Sequence, residues 1–509
     1  MADTKREIER KYEGPATEGG ADLPDLSGVP GVAGVVDKGV AELDATYYDT
    51  PDQRLAAASL TLRRRTGGHD AGWHLKLPVS EGVRDEIHAP LSDTVPRALS
   101  GLLRSRVRDA ELVPLVRLLS ARDIRHLVDD SGALLAEVSL DRVRAERLSG
   151  GGGTAAWTEI EVELADDGDP AFLDKVEKKL RKAGLNRSAS PSKLAKALDE
   201  TAKRAKKAAP EKEPAPEKEP VTAGDHVLAY LRAQYDAIVE LDPAVRRDLP
   251  DSVHSLRVAT RRMRSTFRSY GKILDRAVTD PIGDELKWLA GELGVDRDQE
   301  VLTERLSEAL GQLPRTLLSG PVRTRLRTWA QARRGGSRRR LIAVLDGKRY
   351  LALLTALEAL VTDPPLLKAA AGDPTKVIAK AVRKDFGKVA DLVGEALDRP
   401  PGADRDHAMH EARKKAKRTR YAAEAATPAL GGPAAGLVKS MKSLQGLLGD
   451  HQDSVMTREA LRELAALAHA AGESSFTYGV LYGREEQRAA AAEAVLPEAW
   501  EATERQAAV

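Results

Sequence analysis

The sequence predicts an α+β domain followed by an all-α domain. Segments before residue 200 alternate apolar and polar residues in period two, which is typical of half-buried strands. Segments after residue 222 space their apolar residues three and four positions apart, which favours helices. Between them, TAKRAKKAAPEKEPAPEKEPVT offers almost nothing for a core and repeats Pro-Glu-Lys-Glu-Pro. We therefore predict domains at 1–200 and 223–509, joined by an extended linker at 201–222.

Composition sets the outer limits of the function. The chain has 509 residues, and its 80 Lys and Arg against 78 Asp and Glu leave a formal net charge of +2. Attraction for a polyanion therefore requires local segregation of charge. The absence of cysteine excludes disulfides, thiol catalysis and iron–sulfur clusters. No apolar run approaches the ~20 residues of a membrane span, and the start MADTKREIERKYE has no hydrophobic signal region, so we expect a soluble, cytoplasmic protein without a membrane partner.

The first domain combines charged strands with helices. The predicted strands lie at 7–12, 59–65, 72–77, 83–89, 134–143 and 157–164. The predicted helices lie at 96–105, 111–119, 170–183 and 192–206. Because alternate side chains of a strand share a face, Glu7 and Glu9 point to one side, and several other strands have a similar ionic face. Closing this sheet into a barrel would gather both signs of charge in a tunnel with a basic wall and an acidic cluster.

Such a mixture of charges suits phosphoryl transfer. Carboxylate oxygens bind Mg²⁺ or Mn²⁺, whereas Arg and Lys hold phosphate oxygens. The reaction needs both and requires no separate protein nucleophile. The glycines at 150–153 lack the Lys and Ser/Thr of a P-loop and sit between two predicted strands, so we interpret them as a hairpin loop.

The opening Glu7-Ile8-Glu9-Arg10-Lys11 resembles the Glu-x-Glu-x-Lys start of the CYTH domain, the triphosphate tunnel metalloenzyme superfamily. The resemblance covers roughly residues 3–200 and continues through Tyr48-Asp49-Thr50-Pro51, Leu62-Arg63-Arg64-Arg65, Leu75-Lys76, Arg84-Asp85-Glu86 and Glu159-Ile160-Glu161-Val162-Glu163. It implies an eight-stranded antiparallel tunnel that binds a triphosphate and Mg²⁺ or Mn²⁺. Substrates across the family include inorganic triphosphate, thiamine triphosphate and ATP.

The resemblance also implies roles for single residues. The metal ligands would be Glu7, Glu9, Glu159 and Glu161, with Glu86 and Glu137 as further metal-side or water-orienting carboxylates. The phosphate ligands would be Lys11, Arg63, Arg65, Lys76, Arg84, Arg125 (with Arg122 as its alternative) and Lys193. The catalytic set would be Glu7, Glu9, Lys11 and Lys76. We interpret the remaining candidates as structural: partly exposed histidines (His69, His74, His88, His126), outer-face charges (Arg64, Glu163) and packing aromatics (Tyr48, Trp73, Trp157).

The second domain contains an internal repeat. The segment from His254 to Arg264 aligns with that from His410 to Arg420, and Leu293-Gly294 aligns with Leu448-Gly449, which predicts two related helical halves with pseudo-twofold symmetry. One helical stripe, about 80° wide, carries four residues of each copy: His254, Arg257, Arg261 and Arg264, then His410, Arg413, Lys417 and Arg420. Residues 254–268 contain five Arg and no acid. Because like charges destabilise a lone helix, the stripes predict a groove that binds an anion.

This half resembles the CHAD domain over about residues 224–500. The resemblance implies that those eight residues bind inorganic polyphosphate, and it suggests an association with polyphosphate granules. An older suggestion for this domain is metal chelation by its histidines, but the basic neighbours of His254 and His410 favour phosphate or a role at the helix start. Asp298 and Asp453 are interpreted as capping or pairing residues, and His451 as belonging to no constellation.

The sequence thus predicts metal-dependent hydrolysis of inorganic triphosphate or short polyphosphate in the tunnel, with polyphosphate docking in the helical domain. Three alternatives stay open. In the first, the tunnel acts on ATP, as an adenylate cyclase, or on thiamine triphosphate; the lack of a clear aromatic cage ranks this alternative lower. In the second, the chain binds polyphosphate without hydrolysing it. In the third, the basic groove binds nucleic acid, although no specific nucleic-acid partner is expected.

Overall fold

The computed structural model describes residues 3–14, 23–149, 152–205, 219–333 and 337–507, apart from the side chains of 3, 203–205, 295–298, 300, 337 and 507. The chain consists of two compact units, Met1–Pro216 and Glu217–Val509. The first unit combines strands and helices, and the second is built from helices.

Eight strands form the sheet of the first unit: β1 (Asp3–Glu13), β2 (Gly34–Asp49), β3 (Thr61–Thr66), β4 (Gly72–Ser80), β5 (Val83–Ala89), β6 (Val113–Val128), β7 (Leu134–Arg147) and β8 (Thr154–Leu164). They are antiparallel neighbours in the order β5-β4-β3-β2-β6-β7-β8-β1, and β1 pairs again with β5, which closes the sheet. A two-residue strand, β9 (Asn186–Arg187), adds to β1. The predicted eight-stranded antiparallel barrel is confirmed.

Strand β1 closes the barrel by dividing its length between two partners. Its first half pairs with β5, where Glu7 lies opposite Arg84, and its second half pairs with β8, where Lys11 lies opposite Glu161. The Glu-x-Glu-x-Lys motif therefore spans the seam of the barrel.

This unit also contains four helices among its described residues. They are α1 (Arg54–Ala57), α2 (Arg97–Val107), α3 (Ala171–Lys182) and α4 (Lys193–Ala205). Leu99 of α2 belongs to the same apolar cluster as Leu75 of β4, and Val176 of α3 to the same cluster as Val162 of β8. Because apolar side chains face outward to these helices, the alternate side chains of the same strands face the interior. The apolar clusters under α2 and α3 are thus external and the ionic face is internal. Helix α4 differs, because its Leu194 and Ala197 cluster with Tyr47, Val143 and Ala155, which lie on the inner faces of their strands.

Two long strands, β2 and β6, were not predicted, and one predicted helix is wrong. Residues 111–119 were expected to be helical, yet most of them belong to β6. The pairing of β2 with β6 shifts register between Tyr47 and Tyr48, and Leu115 and Val116 are both buried. This bulge interrupts the alternation of buried and exposed residues, so the apolar residues of this segment have a spacing that resembles that of a helix. The first half of β2 is largely exposed and shows no apolar alternation.

The second unit contains eleven helices among the described residues. They are α5 (Ala223–Arg246), α6 (Ser252–Ser269), α7 (Arg276–Glu292), α8 (Gly294–Gly311), α9 (Val322–Arg333), α10 (Ser337–Asp346), α11 (Lys348–Thr362), α12 (Pro374–Asp398), α13 (Ala403–Leu430), α14 (Gly432–Ala470) and α15 (Phe476–Ala507). The predicted all-helical domain is confirmed. The two aligned basic segments lie on α6 and α13, which pack against each other.

Some predicted boundaries differ from the structure. Asp280-Pro281 was expected to break the chain but lies inside α7, whose Ile282, Leu286 and Leu289 are buried in the core and hold the helix in place. Residues 201–205 of the predicted linker finish α4. At its other end Thr222 caps α5, accepting a hydrogen bond from the Asp225 amide while the Asp225 carboxylate accepts one from the Thr222 amide. Residues 206–218 of the predicted linker lie outside the described residues.

Candidate functional site

A cavity of about 410 Å³ lies inside the barrel and is lined almost entirely by charged side chains. Nine residues predicted as ligands line it: Glu7, Glu9, Lys11, Arg63, Arg65, Lys76, Arg84, Glu161 and Lys193. Further charged or imidazole groups around it are Lys5, Asp70, His74, Glu86, His88, Arg122, Glu137 and Glu163. The structure therefore gathers both signs of charge in one enclosed space, as the strand alternation predicted.

The motif of β1 places three ionic groups on the inner face. Lys11 Nζ lies 3.4 Å from Glu9 Oε1 and 2.9 Å from Glu161 Oε1 of β8. Arg84 Nη1 of β5 lies 3.7 Å from the same Glu9 oxygen. Each carboxylate in this part of the tunnel thus already has a cation beside it, so an added phosphate or metal must exchange partners with these pairs.

A second cluster joins Glu7, Lys76 and Glu86. Lys76 Nζ lies 2.5 Å from Glu7 Oε2 and 3.8 Å from Glu86 Oε1. Burial raises the pKa of Glu7 to about 8, against the opposing effect of Lys76, and the hydrogen bond with Glu86 adds to the rise. The pKa of Glu86 is lowered, because Lys76 and His74 outweigh its burial. The raised pKa of Glu7 favours its protonated form near neutral pH, with a hydrogen bond to Glu86.

This proton gives a prediction for metal binding. A carboxyl group must lose its proton to coordinate a cation, so Mg²⁺ binding at pH 7 should release about one proton per ion through Glu7, and its affinity should rise as the pH increases toward 8. Titration calorimetry in buffers of different ionisation enthalpy measures this proton release. In Glu7→Gln the release should vanish. A wild-type protein that binds Mg²⁺ at pH 7 without releasing a proton would contradict the prediction.

Three buried carboxylates form the acidic part of the site. Oxygen atoms of Asp141, Glu159 and Glu161 lie within 4.8 Å of one another. Lys193 Nζ of α4 lies 2.9, 2.8 and 2.6 Å from them, so its ammonium group supplies the positive charge that a metal ion would supply. A hard, all-oxygen donor set in this spacing fits Mg²⁺ or Mn²⁺. Glu159 is not among the residues that line the cavity, but it contacts Lys193, which does line it.

Asp141 is a site residue that the sequence analysis missed. It is fully buried and receives two hydrogen bonds from Arg122, at 2.8 and 2.7 Å. The signal was present, because Glu137 and Asp141 lie four residues apart in the predicted strand 134–143 and therefore share a face.

The basic wall differs from the prediction at one position. Arg125 was expected to bind phosphate, but it lies away from the cavity and pairs with Asp37 and Asp123. Arg122, its alternative, lines the tunnel and donates to Glu161 at 2.7 Å. Residues three apart in a strand point to opposite faces, which explains why Arg122 and not Arg125 lines the tunnel.

Crowding of cations marks the centre of the wall. Burial, together with Arg63 and Arg122, lowers the pKa of Arg65 to about 9. Arg63 Nη1 lies 3.4 Å from the Tyr47 hydroxyl, and its Nη2 lies 3.4 Å from Glu86. Because Arg63 and Arg122 disfavour the charged form of Arg65, an added anion at this place would be stabilised.

Three residues interpreted as structural, His74, His88 and Glu163, line the tunnel. His74 is buried, with Nδ1 3.0 Å from Glu86 Oε1 and Nε2 2.9 Å from the Asp70 carbonyl oxygen. It lies on the same face of β4 as Lys76, so the alternation that predicted Lys76 also applied to His74. Glu163 lines the cavity and pairs with Lys5 at 2.6 Å. Arg64, by contrast, donates to the Ser92 carbonyl oxygen on the outside.

In the second unit a basic groove of about 780 Å³ runs between the two repeats. Seven of the eight predicted residues line it: His254, Arg257, Arg261, Arg264, His410, Arg413 and Lys417. Arg268, Arg305, Lys414, Lys415 and Arg418 also line it. The expected eighth residue, Arg420, does not, because its guanidinium lies 3.5 Å from Glu424 and packs over the Tyr421 ring.

The repeated Leu-Gly pair positions one arginine in each half. A Cβ at Gly294 would lie 2.8 Å from Arg257 Nη2, and a Cβ at Gly449 would lie 3.1 Å from Arg413 Nη2. The two glycines thus leave room for equivalent guanidinium groups, which accounts for their place in the repeat. The predicted relation between the two halves extends to this detail.

These contacts predict that Gly294→Ala will displace the Arg257 guanidinium without unfolding the protein, because the obstructed atom ends a flexible side chain. We expect polyphosphate affinity, measured by titration with a fluorescent chain, to fall about threefold or more. Gly291→Ala is the matched control, since no heavy atom lies within 4 Å of its added Cβ. Equal affinity in the two variants would show that the glycine does not position Arg257.

The histidines of the groove stand among cations. Burial and Lys414 lower the pKa of His410. Within the described residues, the histidine that meets two carboxylates is His451, whose Nε2 lies 3.2 Å from Asp406 and 3.3 Å from Glu493. His451 was expected to belong to no constellation, and this expectation is wrong. The side chain of Asp298 lies outside the described residues, and Asp453 lines the groove.

Among the described residues, no helix is both long enough and apolar enough to cross a membrane.

Comparison with known proteins defines the class first. Residues 5–198 match the CYTH domain and residues 229–462 match the CHAD domain. CYTH enzymes are metal-dependent and act on phosphoanhydrides, which agrees with a tunnel lined by carboxylates, Arg and Lys. The chain belongs to the family of proteins in which a CYTH domain precedes a CHAD domain.

Two relatives that match over most of their length come from Mycobacterium tuberculosis. Uncharacterized protein Rv2226 of Mycobacterium tuberculosis strain H37Rv is 37% identical over 495 residues, which cover 94% of this chain and 92% of the relative. Uncharacterized protein MT2285 of strain CDC 1551 / Oshkosh matches with the same identity and coverage. Among solved structures, PptA from Streptomyces chartreusis has a TM-score of 0.46 at 22% identity and covers 55% of this chain and 99% of its own. The CHAD domain from Ricinus communis has a TM-score of 0.43 at 24% identity and covers 57% and 96%.

Proposed function

We propose that the barrel hydrolyses inorganic triphosphate or short-chain polyphosphate with Mg²⁺ or Mn²⁺, and that the helical domain binds longer polyphosphate. The observation that carries the proposal is the enclosed tunnel, in which eight Lys and Arg side chains and seven carboxylates line the cavity. Such a lining is nearly neutral, so a triphosphate bound there requires divalent cations to balance its charge.

The acidic cluster would hold the metal, and the basic wall would hold the substrate. Glu7, Glu9, Glu159 and Glu161, joined by Asp141, offer the oxygen ligands. When bound, the metal would neutralise charge on phosphate oxygens and activate or position the attacking water. Arg63, Arg65 and Arg122 would fix the phosphate chain, while Lys11 and Lys76 would neutralise charge that develops on it.

The lining favours an inorganic substrate over ATP or thiamine triphosphate. Among the residues around the cavity, the aromatic or imidazole rings are Tyr47, His74 and His88. The Tyr47 hydroxyl contacts Arg63, and His74 is held by Glu86, so these two rings are engaged with charged groups. A nucleobase or thiazolium would find no stacking platform among them.

Turnover measured on a panel of substrates tests the catalytic half. Phosphate release is followed with triphosphate, long polyphosphate, ATP and thiamine triphosphate, each with Mg²⁺ and with Mn²⁺. We expect the highest kcat/KM with triphosphate. Formation of cyclic AMP from ATP would instead identify a cyclase. Tight polyphosphate binding without metal-dependent turnover of any substrate would leave only the binding function.

Binding in the presence of a chelator tests the helical half. Wild type should bind long polyphosphate, and Arg257→Gln with Arg413→Gln should bind it at least about tenfold more weakly, since each charge-assisted contact to phosphate contributes over 1 kcal/mol. Arg333→Gln with Arg349→Gln is the matched control, because these arginines lie outside the groove and pair with Glu463 and Glu285. RNA is used as competitor at physiological salt, where displacement of polyphosphate by RNA would favour nucleic-acid binding.

A further inference from the structure

The basic groove contains one amine at a position where its repeat carries a guanidinium. Lys417 of α13 aligns with Arg261 of α6, and both line the groove. The charged groups that act on Lys417 are Arg413 and Arg420 of its own helix, Arg261 of α6 and Asp453 of α14. In the described part of the chain, no carboxylate oxygen lies within ion-pair distance of Lys417 Nζ. The ammonium is therefore held among cations with one carboxylate in the vicinity.

This setting changes the chemistry of the amine. Burial, Arg413 and Arg261 lower the pKa of Lys417 to about 8. A lysine next to other cations is partly uncharged near neutral pH and becomes a nucleophile. Lys414, one turn away on the same groove, is different, since it is more than half exposed and pairs with Glu411 at 2.7 Å. The groove thus offers a nucleophile beside groups that bind phosphate.

We propose that Lys417 is a modification site for acyl phosphates, whose phosphoryl group docks on Arg413 and Arg261 while Lys417 Nζ attacks the acyl carbon. The inference goes beyond polyphosphate binding but rests on the proposed affinity of the groove for phosphate. The geometry supplies what the reaction needs, because the docking groups and the amine belong to one cavity.

The step is balanced without a further reactant. A bond forms between Lys417 Nζ and the acyl carbon, and the bond from that carbon to the phosphate oxygen breaks. The electron pair of the broken bond leaves with phosphate, and the proton of the amine leaves as part of hydrogen phosphate. The product is a neutral amide, so modification removes one positive charge from the centre of the groove and weakens its hold on polyphosphate.

The experiment uses the full chain, acetyl phosphate at pH 8 with a chelator, and peptide mass spectrometry of Lys417 and Lys414 over time. We expect Lys417 to be acetylated at least about tenfold faster, because its pKa is lowered whereas Lys414 pairs with Glu411. Excess long-chain polyphosphate should slow the acetylation of Lys417 more than that of Lys414, which is more exposed. Equal rates at the two lysines would overturn the proposal.

A neutral reagent separates docking from reactivity. With N-hydroxysuccinimidyl acetate the preference for Lys417 over Lys414 should be smaller than with acetyl phosphate, because the ester has no phosphoryl group to dock. The same preference with both reagents would overturn the docking step. Loss of polyphosphate binding by wild type itself would refute the proposed function, whereas the acetylation ratios report on Lys417 alone.

Discussion

Replacing Glu7 and Glu9 together by alanine should lower phosphate release from inorganic triphosphate by about a thousandfold or more. Both side chains are buried on the inner face of β1, and each lies beside a lysine of the tunnel, Glu7 beside Lys76 and Glu9 beside Lys11. Their removal takes away two oxygen ligands and leaves these cations without their carboxylates. The remaining wall would still bind phosphate, so the loss should appear mainly in kcat.

The matched control is the double variant Glu42→Ala with Glu146→Ala. Both of these glutamates lie on strands of the same barrel but are exposed. Turnover and thermal stability of the control should equal those of wild type. Polyphosphate binding should be unchanged in both double variants, because the groove is built from other residues. Equal triphosphate turnover by wild type and by the Glu7, Glu9 variant would end the catalytic assignment.

Replacing Lys193 by methionine should destabilise the barrel by about 3–5 kcal/mol. Its ammonium pairs with Asp141, Glu159 and Glu161, which are all buried, and methionine would leave these carboxylates facing one another with Arg122 and Lys11 as their remaining partners. The pKa of Glu161 is now held low because Lys11, Lys193 and Arg122 outweigh its burial, so loss of Lys193 should raise it. Scanning calorimetry should show the transition of this domain about 10 °C lower.

Added metal ions test whether the acidic cluster around Lys193 also binds a divalent cation. If the acidic cluster binds a divalent cation, Mg²⁺ or Mn²⁺ should restore much of the stability lost in Lys193→Met, since the ion replaces the missing positive charge. Lys5→Met is the control, because Lys5 is half exposed and its pair with Glu163 contributes no more than about 1 kcal/mol. A Lys193→Met protein as stable as wild type without metal would contradict the assigned contacts.

The residues of the tunnel show where sequence reasoning was sufficient. Alternation along a strand is a local property, set by the geometry of each residue, so the inward direction of Glu7, Glu9, Lys11 and Lys76 followed from their spacing alone. The same rule applied to His74 and Asp141, whose strands were predicted. Their inward direction was thus available from the sequence and was overlooked.

Arg122 and Arg125 show where it was insufficient. The strand that carries them was not predicted, because a bulge beside Leu115 and Val116 interrupts its period, and without the strand neither residue could be assigned a face. A bulge depends on the partner strand, here β2, some 70 residues earlier in the chain. The choice of Arg122 therefore required the pairing.

By itself the sequence determined the two domains, the ionic face of the strands, the repeated basic stripe and the family. The tertiary structure decided which charges meet: that Lys193 enters the cluster of Asp141, Glu159 and Glu161, that Arg420 turns away to Glu424, and that Gly294 and Gly449 make room for Arg257 and Arg413. The reason is physical. Side-chain periodicity is fixed within a few residues, whereas contacts between residues far apart in sequence depend on how the barrel closes and on how the helices pack.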